Sequence, residues 1–260
     1  MKRKKLGLAL GAGGANGIAH VGFLEVLAER GLKPDVIAGS SIGSVIGSLY
    51  ANGYPISSMI EQVDKLKHND IVDFDPFFFN SLGLVRGKKA EALLKSLIGE
   101  DTTFDDLSLP FGCVAVDLLS GNKVYLTEGL VWRASLASSA IPTAFRPVEI
   151  DGMLLVDGGI LDRVPGELCR NLGADVVIGV DVLGKTPRGE RPANIISTII
   201  RSYYIMEYEM TVLRTSNVDY MVEIEQANMN SLKVRNLHES YENGRAAALG
   251  HVDKITELME

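Results

Sequence analysis

Gly39-Ser40-Ser41-Ile42-Gly43 sets a hydroxyl between two glycines in G-x-S-x-G spacing. A serine there can be a nucleophile, because a sharp strand-to-helix turn pushes its Oγ out of the backbone. Gly39 and Gly43 relieve the clash with the neighbouring elements. A helix starting at Ile42 would aim its free amides and its dipole at the charge formed during attack. The same five residues also describe an ordinary strand-to-helix turn, so context must decide. Ser40 and Ser44 are rival hydroxyls, and the spacing disfavours both.

A second glycine cluster, Gly11-Ala12-Gly13-Gly14-Ala15-Asn16-Gly17, lies upstream. As a dinucleotide-binding turn it fails twice. Counting from Gly11, Asn16 holds the place of the last glycine, and the acid that should close the next strand, Asp35, precedes it. As an oxyanion loop it fits better, with bare amides facing a reacting carbonyl. One such donor contributes roughly 2.7–4 kcal/mol of transition-state stabilisation.

A serine needs a base, usually histidine. The four histidines are poorly placed: His20 follows the glycine loop, His68 sits in a polar turn, and His238 and His251 fall in an amphipathic C-terminal segment. Asp157 is the better candidate. It directly follows the apolar run Met153-Leu154-Leu155-Val156 and precedes Gly158-Gly159, so a strand end delivers a carboxylate where glycines permit close approach. A free Asp, with a pKa of about 3.9, is too acidic for the task, but burial without a cationic partner raises it. The competing reading is a plain Asp-Gly turn.

These groups need a scaffold. Leu6 to Leu10 reads as a buried parallel strand, followed by a helix with Ile18, Val21, Leu24 and Leu27 in register and Gly31 as its stop. Val36-Ile37-Ala38 is the next strand and Ile42 to Ala51 the next helix, a pattern that indicates a parallel sheet under helices. Further on, helices are expected at Pro55 to Lys67, Gly87 to Leu97, Val131 to Ser139, Asn194 to Thr215 and from about Asn236. Strands are expected at Phe111 to Asp117 and Lys123 to Leu126, paired as a hairpin, and at Met153 to Val156 and Asp175 to Asp181.

With 260 residues, 46% of them hydrophobic, the chain can bury one large α/β core, and a single domain over 1–260 is expected. The net charge of -7 argues against nucleic acid, which needs a concentrated basic face. Cys113 and Cys169 lie in apolar stretches as buried thiols, and no Cys/His spacing suits a metal. The basic start Lys2 to Lys5 could imitate a secretory signal, but glycines and Asn16 interrupt the apolar stretch after it. No run reaches the ~18 apolar residues of a membrane span. A soluble, cytoplasmic protein without a cofactor is expected.

Together the segments resemble the patatin-like phospholipase family over most of the first 180 residues. Leu10 to Gly22 is similar to its glycine-rich oxyanion segment, and Gly39 to Gly43 to its nucleophile elbow. Ser138-Ser139-Ala140-Ile141-Pro142 with Phe145-Arg146-Pro147 resembles its intermediate segment, and Asp157-Gly158-Gly159 its D-G-[AG] box, with Val164-Pro165 beyond. The resemblance implies a three-layer α/β/α fold with a mostly parallel sheet, and hydrolysis of lipid acyl esters by a Ser-Asp dyad. In that scheme Ser41 attacks, Asp157 is the base, and amides of Gly13, Gly14 and Ile42 hold the oxyanion, with Gly17, Gly39, Gly43, Gly158 and Gly159 as motif glycines. Three positions depart: Ala12 for the first glycine, Asn16 for an Arg or Lys, and Asp162 for an Asn.

For the lipid substrate, Phe77-Phe78-Phe79 offers either an acyl-binding or membrane-touching edge or three core rings. Ile195, Ile196, Ile199, Ile200, Tyr203 and Met206 form a helical stripe, expected to pack on the sheet or across a homodimer rather than on a membrane. Acyl transfer with the same dyad and a regulatory adaptor are the competing functions.

Overall fold

The computed structural model describes residues 3–65, 72–75, 82–184, 191–214, 217–226 and 237–260, with the side chains of 63, 64, 196, 213 and 214 excepted. Phe77-Phe78-Phe79, His68 and the side chain of Ile196 lie outside the described residues.

Ten strands are described: β1 Leu6–Leu10, β2 Val36–Ser40, β3 Gly83–Val85, β4 Phe111–Asp117, β5 Lys123–Leu126, β6 Thr143–Phe145, β7 Val148–Ile150, β8 Met153–Asp157, β9 Val176–Asp181 and β10 Tyr220–Glu223. The described helices are α1 Ala19–Glu29, α2 Ile42–Ala51, α3 Ile56–Lys65, α4 Lys88–Ile98, α5 Val131–Ser138, α6 Gly166–Asn171, α7 Ile195–Arg214 and α8 Leu237–Met259. Short 3-10 turns at Gly14–Ile18 and Gly158–Ile160 follow β1 and β8.

The main sheet runs β10-β9-β1-β2-β4-β8-β7, with β5 on β4. β10, β9, β1, β2 and β4 are mutually parallel; β5 and β8 run antiparallel to β4, and β7 runs antiparallel to β8. Period-two alternation explains its two covered faces. Leu6, Leu8, Leu10, Ile37, Cys113, Ala115 and Ile178 join one core, with Phe23, Leu24 and Leu27 of α1 and Val252 and Ile255 of α8. Ala9, Val36, Ala38, Val114 and Val177 join the other, under Leu168 and Cys169 of α6. The result is the expected three-layer α/β/α arrangement with a mostly parallel sheet.

α8 packs along α1 at contact distance. A Cβ on Gly244 would run into the Ala19 carbonyl, and one on Gly22 into that of Tyr241. Both thiols are buried and free, as expected. The stripe on α7 does not behave as one packed face: Ile200 is buried, while Ile195, Ile199 and Met206 are exposed. Packing on the sheet therefore does not account for the whole stripe, and packing across a homodimer would leave these side chains exposed in a single chain.

Candidate active site

Register brings the two halves of the site together. β2 ends with Ser40 opposite Val114 of β4, and Asp157 at the end of β8 pairs with the adjacent Ala115. One strand therefore separates the turn carrying Ser41 from Asp157. Ser41 has φ 53 and ψ -126, a strained positive φ for a residue other than glycine, and stands at the N-cap of α2. Its Oγ donates to Asp157 Oδ2 at 2.6 Å across 116 residues of sequence.

Glycine makes the turn possible by close approach. A Cβ on Gly39 would strike the Ser44 backbone, and one on Gly43 the Leu10 carbonyl. Gly158 meets the Val114 carbonyl in the same way, which lets the Asp157 turn lie flat on β4. The rival hydroxyls do not reach Asp157 by any hydrogen bond among the described residues. Ser40 is fully buried with no partner for its Oγ, and Ser44 Oγ donates to the Ser41 carbonyl at 2.6 Å.

Asp157 is buried, and desolvation pushes its pKa up to about 6, against the opposing effect of hydrogen bonds from Ser41, the Gly159 amide and Tyr203. The Gly159 N–H donates to its Oδ1 at 2.8 Å, leaving Oδ2 for the serine. The carboxyl is thereby oriented and made basic enough to accept a proton near neutrality.

The glycine loop lies against the elbow, since a Cβ on Gly17 would collide with the Ile42 side chain. The amides of Gly13, Gly14 and Ile42 donate to no acceptor among the described residues. Three uncommitted donors in buried or half-buried backbone beside Ser41 suit an oxyanion. Ala12, the departure from the glycine pattern, is buried, and its amide is used by the Arg163 carbonyl at 3.0 Å.

His20 is fully buried, and desolvation holds its pKa down to about 4, so the ring is neutral. Its Nε2–H donates to the Gly11 carbonyl at 2.8 Å, which braces the glycine loop rather than serving Ser41. His251 pairs with the Tyr220 hydroxyl at 2.7 Å, and His238 is exposed on α8. Asp162 has a reason to be an acid here: Lys123 Nζ reaches it at 2.8 Å. Asn16 is buried, its Oδ1 has no partner, and its carbonyl accepts from Ser240 of α8 at 2.8 Å.

For several neighbours, sequence reasoning left out the contacts they make at the site. Ser138 Oγ accepts the Ser41 amide N–H at 3.0 Å, and the Ala140 carbonyl accepts that of Asp157 at 3.0 Å. The segment Ser138 to Pro142 thus tethers both Ser41 and Asp157, and its conspicuous small residues were the available signal. Tyr203 and Glu207 of α7 also reach the site, and nothing in their spacing distinguished them. Among the described residues no group of three or more His, Cys, Asp or Glu side chains could hold a metal ion.

Known proteins agree with this architecture. The chain is 35% identical over 189 residues to an NTE family protein of Mycobacterium tuberculosis, covering 73% of this chain and 52% of that one. It is 33% identical over 182 residues to the lysophospholipase nte1 of Aspergillus fumigatus, covering 69% of this chain and 12% of the other. The chain therefore spans about half the length of the first relative and a small part of the second. Among solved structures, VipD from Legionella pneumophila superposes with a TM-score of 0.63 at 16% identity, over 98% of this chain and 67% of that one, a likeness of fold. Residues 8–169 match the patatin-like phospholipase family, and this span holds the glycine loop, the elbow and the Asp-Gly-Gly box, so the chain belongs to that family.

Proposed function

We propose that this protein is a lipid acyl hydrolase that cleaves carboxylic esters of phospholipids or lysophospholipids through Ser41 and Asp157. The observation that carries the reading is the 2.6 Å hydrogen bond from Ser41 Oγ to Asp157 Oδ2 on a strained elbow. In this scheme Asp157 takes the Ser41 proton as Oγ attacks the acyl carbon. The oxyanion lies against the free amides of Gly13, Gly14 and Ile42, at the positive end of α2. Collapse expels the alcohol, which receives the proton from Asp157, and leaves an acyl ester on Ser41. Water then attacks the acyl carbon, giving its proton to Asp157, and the fatty acid leaves as Ser41 is restored. On this reading residues 1–260 act as one acyl hydrolase domain.

Family membership and the lysophospholipase among the relatives support a lipid as substrate. Peripheral contact with a lipid surface is part of the reading, through the outer face of α7, where Ile195, Ile199, Ile205, Met206 and Val212 are exposed. Among the described residues no helix is long and apolar enough to cross a membrane. A second copy of the chain is the competing occupant of that face, and light scattering with and without anionic vesicles separates the two.

The test of function is hydrolysis of a phospholipid and a lysophospholipid by the wild-type protein, Ser41→Ala and Asp157→Asn. Both variants are expected to lose activity, Asp157→Asn by roughly 10²–10⁴-fold as for a general base. Equal activity in all three proteins overturns the dyad. Acyl-enzyme formation with turnover only on addition of an alcohol acceptor replaces hydrolysis by acyl transfer.

A further inference from the structure

Glu207 is buried to 2% exposure on α7, and neither of its carboxyl oxygens has a hydrogen-bond partner among the described residues. Such a group demands an explanation, because leaving it unsatisfied costs stability. Its position is specific. An ideal Cβ built on Gly159 would stand 2.7 Å from Glu207 Oε1, 3.0 Å from Asp157 Oδ1 and 3.1 Å from the Tyr203 hydroxyl. Three oxygens from two elements thus converge beside the dyad. Asp157 has uses for both of its oxygens, in Ser41 and the Gly159 amide, whereas Glu207 has none.

Its surroundings favour the neutral carboxyl. Desolvation, with the Asp157 and Asp181 carboxylates, holds its pKa well above the ordinary range, opposed by Arg163. Arg163 directs its Nη2 to the Asp181 carboxylate and the Gly184 carbonyl, while its Nε has no partner among the described residues. A neutral carboxyl offers one donor and one acceptor, which matches an alcohol better than an ammonium group. Reach narrows the choice further. A substrate group that meets Glu207 while its ester lies at Ser41 must sit within a few atoms of the scissile bond, too close for a distal headgroup. An open groove of about 410 Å³ is lined by Ile160, Tyr203, Ile205, Met206, Glu207, Glu209 and Met210, a mainly apolar wall that suits an acyl chain.

We propose that Glu207 determines specificity for monoacyl glycerolipids, its carboxyl receiving the free hydroxyl next to the scissile ester. This inference rests on the acyl-hydrolase reading and sharpens its substrate class. A diacyl lipid carries no hydroxyl there and leaves the buried carboxyl unpaired, the situation in which polar sites discriminate most strongly.

The experiment compares kcat/KM for 1-palmitoyl lysophosphatidylcholine and its 2-deoxy analogue, which differ only in that hydroxyl. The wild-type ratio is expected to exceed roughly tenfold, and Glu207→Met to bring it close to one, with Ser41 labelling by a fluorophosphonate as the check that the site is assembled. Glu207→Ala is the second truncation should the first not fold. A wild-type ratio near one, or a ratio that survives truncation, overturns the role of Glu207 and leaves the hydrolase reading intact. Failure of the wild-type protein to cleave either compound takes both readings down together.

Discussion

Replacing Asp157 by Asn should stabilise the protein at alkaline pH while it disables the proposed chemistry. Burial raises the Asp157 pKa from 3.8 to about 6, so the folded state favours the protonated carboxyl. The sign follows from linkage. Well below the unfolded pKa both states are protonated and nothing is lost. As pH rises through the folded value, the native state must carry a buried charge, and stability falls. A shift of about two pK units corresponds to about 3 kcal/mol once both states are ionised, and to about 1 kcal/mol near about pH 4.5. Asparagine is neutral throughout and retains the local bonds, since its carbonyl accepts from the Gly159 amide and its NH₂ donates to Ser41 Oγ. Urea unfolding of both proteins at about pH 4.5 and about pH 8 should therefore show an advantage for Asp157→Asn that grows by about 2 kcal/mol between them. An advantage that does not change with pH, or a variant less stable at alkaline pH, would refute the account of Asp157 as a desolvated carboxylate.

The same carboxyl, as a base, must be ionised to act, so kcat/KM should fall about tenfold per unit below about pH 6, measured on a soluble ester; a flat profile down to about pH 4.5 speaks against it. Gly244→Val should cost about 3 kcal/mol in urea unfolding, because its side chain would collide with the Ala19 carbonyl and lift α8 from α1; wild-type stability would mean the two helices are not in contact there. Asn16→Arg should change turnover and lower stability by about 1–3 kcal/mol, since Asn16 is buried and its carbonyl is tied to Ser240. Unchanged kinetics in that variant would show that the position carries no electrostatic role beside the glycine loop.

Much of the scaffold was legible because its signals are local. The runs Leu6 to Leu10 and Ile42 to Ala51 appear with the expected bounds, and the hairpin of β4 and β5 forms as read. The approach of Ser41 to Asp157 was legible because glycines lie on both sides of Ser41 and directly after Asp157, and glycine is required where backbone passes over backbone at Gly39, Gly43 and Gly158. The short strands β3, β6, β7 and β10 were not anticipated, since three or four residues carry too little periodicity to stand out. The place of Tyr203 and Glu207 beside Asp157 was not legible for another reason. They come to the dyad from α7 through tertiary packing, and their own helix reads as an apolar stripe. The departures Asn16 and Asp162 acquire meaning only from distant partners, Ser240 and Lys123.

The most direct test of the central claim is the rate and site of fluorophosphonate labelling, located by mass spectrometry, in the wild-type protein and in Asp157→Asn. The geometry requires the adduct on Ser41 and labelling slowed by roughly 10²-fold or more when the carboxylate is removed. An adduct on another residue, or labelling of Ser41 at an undiminished rate in Asp157→Asn, would contradict it.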